Sequence, residues 1–278
     1  MTPWSSWSGH DVSPWEITGT LHLTRHESTC ASRLVVNSLY FWSFKCNLIN
    51  MIRISQITDP AEKQKVIASL ATPRKWDIMT VQCLYYGHSF VHRYSTWVQN
   101  NPRYKDGGLR NGELNMLYHG EGGAKVERLL HQDNLQVVES LAPDAVIVEV
   151  GTNDLADEGY RPSDLLQQVL KLINELKDRR VRYICVCSVI YRGKNAKRTC
   201  EGYQGKVVAY NLQAAARINR LPNCMFWKHP GFWKNINECV VKKDKVHLND
   251  LGQYKLYNSL RSVCMRIVRR TRPCLYRK

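Results

Sequence analysis

Four short segments of this chain hold residues whose types and spacing can do chemistry. Tyr86-Gly87-His88-Ser89 sets a serine hydroxyl beside a glycine at a helix start, where its own N–H faces bound negative charge. Gly120-Glu121-Gly122-Gly123-Ala124 lets the backbone approach a ligand and turn an N–H towards it. Gly151-Thr152-Asn153-Asp154 offers an asparagine whose side chain can donate to an oxyanion. Asp244-Lys245-Val246-His247-Leu248-Asn249 places a carboxylate three residues ahead of a histidine. Such an Asp can accept the Nδ1–H and fix the tautomer, leaving the other ring nitrogen to take a proton from serine. Singly, each segment has a plain structural account: an N-cap serine, a tight turn, turn chemistry, a solvated Asp in a lysine-rich run. Their order along the chain is the stronger observation.

The elements that must position them alternate. Strands are expected at Asp77 to Tyr86, Glu113 to Leu117, Ala145 to Val150, Arg182 to Ser188 and Cys224 to Lys228. The third, Ala-Val-Ile-Val-Glu-Val, is mostly apolar and β-branched, as a strand buried on both faces should be. Helices are expected over Phe90 to Gln99, Arg161 to Lys177 and Lys206 to Arg220, with a closing helix marked by Leu256, Leu260, Val263 and Ile267. In the second of these, Leu166, Val169, Ile173 and Leu176 share one face. Alternation of this kind implies βαβ units and a parallel sheet covered on both sides. Ligands then bind beyond the carboxyl ends of the strands, which is where the four segments fall.

The 278 residues carry a formal net charge of +16, an excess that favours anionic partners. It also fits a merely solvated basic surface. Ten cysteines are scattered, without C-x-x-C pairs or zinc spacing, so reduced, buried thiols in an intracellular protein are expected. Cys185 and Cys187 are expected to face opposite sides of their strand and so not to bridge. Met1 to His10 lacks the pattern of a signal peptide, and the most apolar early run, Leu34 to Phe44, is too short to span a bilayer. Residues 1–75 read as an irregular or poorly ordered appendage, with Trp4, Trp7 and Trp15 among Ser, Thr, Gly and Pro and one short helix at Asp59 to Leu70.

The series Ser, Gly, Asn, Asp-x-x-His resembles the motif blocks of the SGNH (GDSL-like) hydrolases over residues 76–278. Val146 to Leu155 resembles the strand leading into that family's G-x-N-D block, and Asp244 to Gly252 its D-x-x-H-L-N-x-x-G run. The resemblance implies a three-layer α/β/α fold with a doubly wound, flavodoxin-like parallel sheet of five strands. It also implies a serine esterase, with Ser89 as nucleophile, His247 as base and Asp244 completing the triad. Ser89, Gly123 and Asn153 would bind the oxyanion. No metal or organic cofactor is implied, and family substrates range over acetylated sugars, lipids and small esters. One position departs: His88 stands where the family usually has Asp, a change that bears on local hydrogen bonding and on rate. His88 is a competing candidate for the base, but only His247 has an orienting carboxylate nearby in sequence; His119 is read as a pocket wall or surface residue. The G-H-S and Gly-Gly-Ala-Lys-Val blocks also resemble esterase domains of some animal non-LTR retrotransposons. The rival expectation is a non-catalytic module of the same fold that contacts nucleic acid through Arg261, Arg266, Arg269, Arg270, Arg272, Arg277 and Lys278.

Overall fold

A computed structural model describes residues 80–109, 112–232 and 236–272. The N-terminal segment 1–75 with its short helix, the start of the first expected strand, and Arg277 and Lys278 lie outside the described residues.

Five strands, β1 (Val81–Gly87), β2 (Leu114–Gly120), β3 (Ala145–Glu149), β4 (Tyr183–Cys187) and β5 (Cys224–Trp227), pair in parallel in the order β2-β1-β3-β4-β5. β2 runs on to Gly120 rather than ending at Leu117. Side chains alternate across the sheet, as strand geometry dictates. Cys83, Tyr85, Ala145, Ile147, Cys185 and Cys187 pack on one side. Leu84, Tyr86, Val146, Val148, Ile184 and Val186 pack on the other. Cys185 and Cys187 therefore share a face, contrary to the expectation, because residues two apart in a strand point the same way; both thiols are free and buried.

The connections supply the covering layers: α1 (Ser89–Asn100), a 3-10 segment at Pro102–Gly108, α2 (Val126–Leu129), α3 (Gln132–Leu141), α4 (Pro162–Asp178), α5 (Tyr203–Ile218), α6 (Ile236–Cys239) and α7 (Asp250–Thr271). α4 starts with Pro162 in its first turn and buries Leu165, Val169, Leu172, Ile173 and Leu176. Full burial stabilises each such side chain by about 1.5–3 kcal/mol relative to exposure. The stripe is centred off the expected one: Leu165 and Leu172 are buried, whereas Leu166 is half-buried. α3 was not foreseen; it buries only Asn134, Leu135 and Val138, too sparse a pattern for a clear helical period. No described helix is long and apolar enough to cross a membrane.

Because all five strands run the same way, their carboxyl ends lie along one edge. In the register of that edge, Gly87 of β1 stands between Gly120 of β2 and Glu149 of β3. The turns that follow these three residues carry Ser89, the glycine block and Asn153.

Candidate active site

The nucleophile candidate sits where β1 turns into α1. Gly87 is required there by close approach: a Cβ on it would lie 2.0 Å from the Glu149 carbonyl oxygen. His88 then donates its backbone N–H to that oxygen at 3.2 Å. The His88 side chain caps α1, its Nδ1 accepting from the Phe90 amide at 3.2 Å. An aspartate would do the same job from this position, so the departure from the resembled block keeps the cap. Burial pushes the His88 ring down to about 4; the nearby Glu149 opposes this, and Arg192 and His247 add to it. His88 is therefore neutral near pH 7 and already engaged at Nδ1, and it stands apart from the serine–histidine contact.

That contact belongs to His247. Its Nε2 lies 3.0 Å from Ser89 Oγ and its Nδ1 2.8 Å from Asp244 Oδ2. The remaining carboxylate oxygen of Asp244 accepts the Val246 and His247 amides at 2.9 and 3.1 Å. Burial would raise the Asp244 carboxyl, but the His247 ring and these two amides outweigh it and hold it below its ordinary value. The loop is fixed by backbone bonds: Val241 to the His247 carbonyl at 2.8 Å and Gly193 to the Lys245 carbonyl at 2.7 Å. Next to it, Asn249 caps α7 by accepting from the Gly252 amide at 3.0 Å.

The glycine block is tied to the same edge, the Glu121 amide donating to the Gly87 carbonyl at 2.9 Å. Gly123 has φ +74°, a conformation that favours glycine, and open space where a side chain would stand. Asn153 is joined to the block through Nδ2, which donates to the Ala124 carbonyl at 2.9 Å. One Nδ2 hydrogen remains for a further acceptor. The neighbouring Asp154 accepts the Val126 amide at 3.1 Å, while its Oδ2 is buried without a partner among the described residues. Burial raises its carboxyl to about 6. Ser89, Asn153, Asp244 and His247 are all half-buried, and Gly123 is exposed. Ser89 thus opens α1 and the other four expected site residues lie in turns and loops, while His119 stacks on Tyr86 at 5.5 Å and bonds Asn134.

Two groups were not legible in the sequence. Arg192, on the loop after β4, reaches Asn153 Oδ1 at 3.3 Å. Beneath the edge, Glu149 accepts from Tyr85 at 3.1 Å and pairs with His229 Nε2 at 2.9 Å, and His229 Nδ1 meets Ser259 Oγ at 2.8 Å. Burial would raise the Glu149 carboxyl, yet His229, His88 and the Tyr85 hydroxyl together hold it below its ordinary value. With Cys187, Glu149 and His229 make the one group among the described residues whose ligand atoms lie within 4.8 Å for a metal. Both ring nitrogens of His229 are already hydrogen-bonded, and burial pushes the Cys187 thiol up, away from the thiolate a metal needs. The set fits a hydrogen-bonded core cluster. Of the basic run, Arg266, Arg269 and Arg270 are exposed, with Arg266 over the Trp227 ring at 4.9 Å, whereas Arg272 is buried at the end of α7.

No protein-family model and no curated protein matches the chain by sequence. Its structure is similar to that of a GDSL-like lipase from Bacteroides thetaiotaomicron VPI-5482, at 17% identity and a TM-score of 0.51, over 72% of this chain and 93% of that one. It is similar to a catalytic mutant of an acetylxylan esterase from Geobacillus stearothermophilus, at 15% identity and a TM-score of 0.51, over 68% and 94% of the two chains. A carbohydrate esterase family 3 protein from Talaromyces cellulolyticus gives 12% identity and a TM-score of 0.51, over 68% and 99%. The chain has the α/β/α fold of these SGNH-type hydrolases, with the five-stranded parallel sheet expected from its sequence.

Proposed function

We propose that the protein is a serine esterase that cleaves short-chain or acetyl carboxylic esters through an acyl-enzyme. The observation that carries this reading is the hydrogen-bonded series Asp244–His247–Ser89, with spacings of 2.8 and 3.0 Å. Ser89 Oγ attacks the ester carbonyl carbon while His247 Nε2 takes the hydroxyl proton, and Asp244 steadies the resulting imidazolium. The tetrahedral oxyanion accepts from the Ser89 and Gly123 amides and the remaining Asn153 Nδ2 hydrogen. Collapse expels the alcohol, which leaves with the proton held by His247. Water then gives a proton to His247 and attacks the acyl carbon, and the carboxylic acid departs as Ser89 regains its proton. The exposure of Gly123, with open space beside it, suits a small acyl group approaching from solvent.

The test is turnover of short acyl and acetyl-sugar esters together with labelling by a serine-directed organophosphonate. Both are expected in the wild-type protein and absent in Ser89→Ala. An alanine variant that turned over ester at the wild-type rate would sink the reading.

A further inference from the structure

We infer that Arg192 is a positioning residue for this reaction: it fixes the Asn153 amide in the orientation that donates to the oxyanion and sets a buried positive charge behind it. The inference rests on the esterase reading. Arg192 is only 3% exposed, and a guanidinium stays charged when buried. Its five N–H donors all go to neutral acceptors. Nε points to Thr152 Oγ1 at 3.3 Å; Nη1 to the Arg198 carbonyl and Thr199 Oγ1, both at 2.9 Å; Nη2 to the Thr152 carbonyl at 2.8 Å and Asn153 Oδ1 at 3.3 Å. The group also stacks over Tyr203, 5.1 Å from the ring centroid. None of the ion pairs among the described residues includes it. Buried charges are ordinarily paired, because desolvation is expensive, and a purely structural arginine here would be expected to face a carboxylate. A cation left unpaired beside the oxyanion donor has a role when negative charge develops there during reaction.

The amide orientation follows from chemistry at its two ends. An asparagine presents an oxygen and a nitrogen of nearly the same shape, so only its partners decide which faces where. Arg192 can only donate and therefore takes Oδ1; the Ala124 carbonyl can only accept and therefore takes an Nδ2 hydrogen at 2.9 Å. The second Nδ2 hydrogen is then left for the oxyanion. Without the guanidinium, the Ala124 carbonyl alone would oppose a flipped amide, which would set Oδ1 against the developing charge. Arg192 is itself held from behind, Gln204 Nε2 donating to its carbonyl at 2.6 Å.

The experiment is a double-mutant cycle on kcat and KM for a short acyl ester, using Arg192→Met, Arg192→Lys and Asn153→Ala, with Ser89→Ala in parallel and thermal melting of each variant. Arg192→Met is expected to lower kcat roughly tenfold to a hundredfold with KM changed less than about twofold. Arg192→Lys, which keeps the charge but lacks the planar fork, should recover part of that loss. In the Asn153→Ala background Arg192→Met should cost clearly less than it does in the wild type, only the part owed to the charge remaining. If Arg192→Met does not fold, Arg192→Lys carries the same test. Unchanged kcat, a loss confined to KM, or an equal loss with Asn153 already removed overturns the inference. If Ser89→Ala silences the enzyme while the arginine variants stay at full rate, the inference fails and the esterase stands; turnover that survives Ser89→Ala sinks both.

Discussion

The described residues hold two Ser–His–carboxylate chains with nearly the same spacings. In one, Asp244, His247 and Ser89 are linked at 2.8 and 3.0 Å; in the other, Glu149, His229 and Ser259 are linked at 2.9 and 2.8 Å. They differ in setting. The side chains of His247 and Asp244 are 23% and 27% exposed, whereas those of His229 and Glu149 are 0% and 2% exposed. Ser89 opens a helix at a strand end, with the glycine block and Asn153 beside it; Ser259 is buried within α7, and its Oγ also accepts from Trp227 Nε1 at 2.8 Å. On the proposed reading, three groups in hydrogen-bond reach do not by themselves suffice for acyl transfer. The serine must meet a substrate, and oxyanion donors must already point at the same place.

Parallel substitutions separate the two chains. Ser89→Ala is expected to reduce turnover by at least about 10⁴-fold, leaving the melting temperature near wild type. Ser259→Ala should leave kcat within about threefold while costing about 1–3 kcal/mol of stability, since His229 and Trp227 lose a shared partner. Steady-state kinetics and thermal melts on both variants check this, and a catalytic collapse in Ser259→Ala with intact folding would break the comparison. The carboxylates should divide the same way. Asp244→Asn is expected to lower kcat by roughly 10³ to 10⁴, because an amide no longer favours the reactive tautomer. Glu149→Gln should act mainly on stability, by about 3 kcal/mol, with kcat per folded molecule changed less than tenfold, roughly. A smaller catalytic effect is expected at the proposed oxyanion donor: Asn153→Ala should lower kcat by about 10² to 10³ with KM little changed. A raised KM at constant kcat would make Asn153 a ground-state binder instead.

What the sequence disclosed follows from which constraints are local. Ala145 to Glu149 announces a buried strand through its own composition, and Asp244 and His247 lie three apart on one loop, so their pairing is written in the spacing. The joining of His247 to Ser89, 158 residues away, was legible only because the motif order resembles a known series. The Arg192–Asn153 contact spans 39 residues and the Glu149–His229 pair 80, and neither has a local signature. An arginine on a loop reads as solvated, and a histidine before a proline reads as a turn. The glutamate in β3 was visible, but its partner was not. Helix α3 escaped because polar residues dominate its sequence and only one short stripe is buried.

The buried carboxylates at the end of β3 extend the comparison to pH. Glu149 has a partner in His229 and is held below its ordinary value; Asp154, five residues on, has an orphaned Oδ2 and is raised by burial from 3.8 to about 6. Their linkage has opposite sign. A lowered carboxylate contributes stability above its unfolded pKa and loses it as pH falls through the folded value. A raised one contributes below its unfolded pKa, near 4, and loses it as pH climbs through about 6. Asp154→Asn removes the titration and keeps an oxygen to accept the Val126 amide. Its Nδ2 stands where Oδ2 had no partner, a pH-independent cost that cancels when one variant is compared across pH. Relative to wild type, the variant should therefore gain stability between pH 4 and pH 7.5, by up to about 3 kcal/mol. Denaturant melts of both proteins across that range read the difference directly. A constant gap between the two curves would mean that the Asp154 carboxyl titrates alike in the folded and unfolded chain, contrary to this expectation.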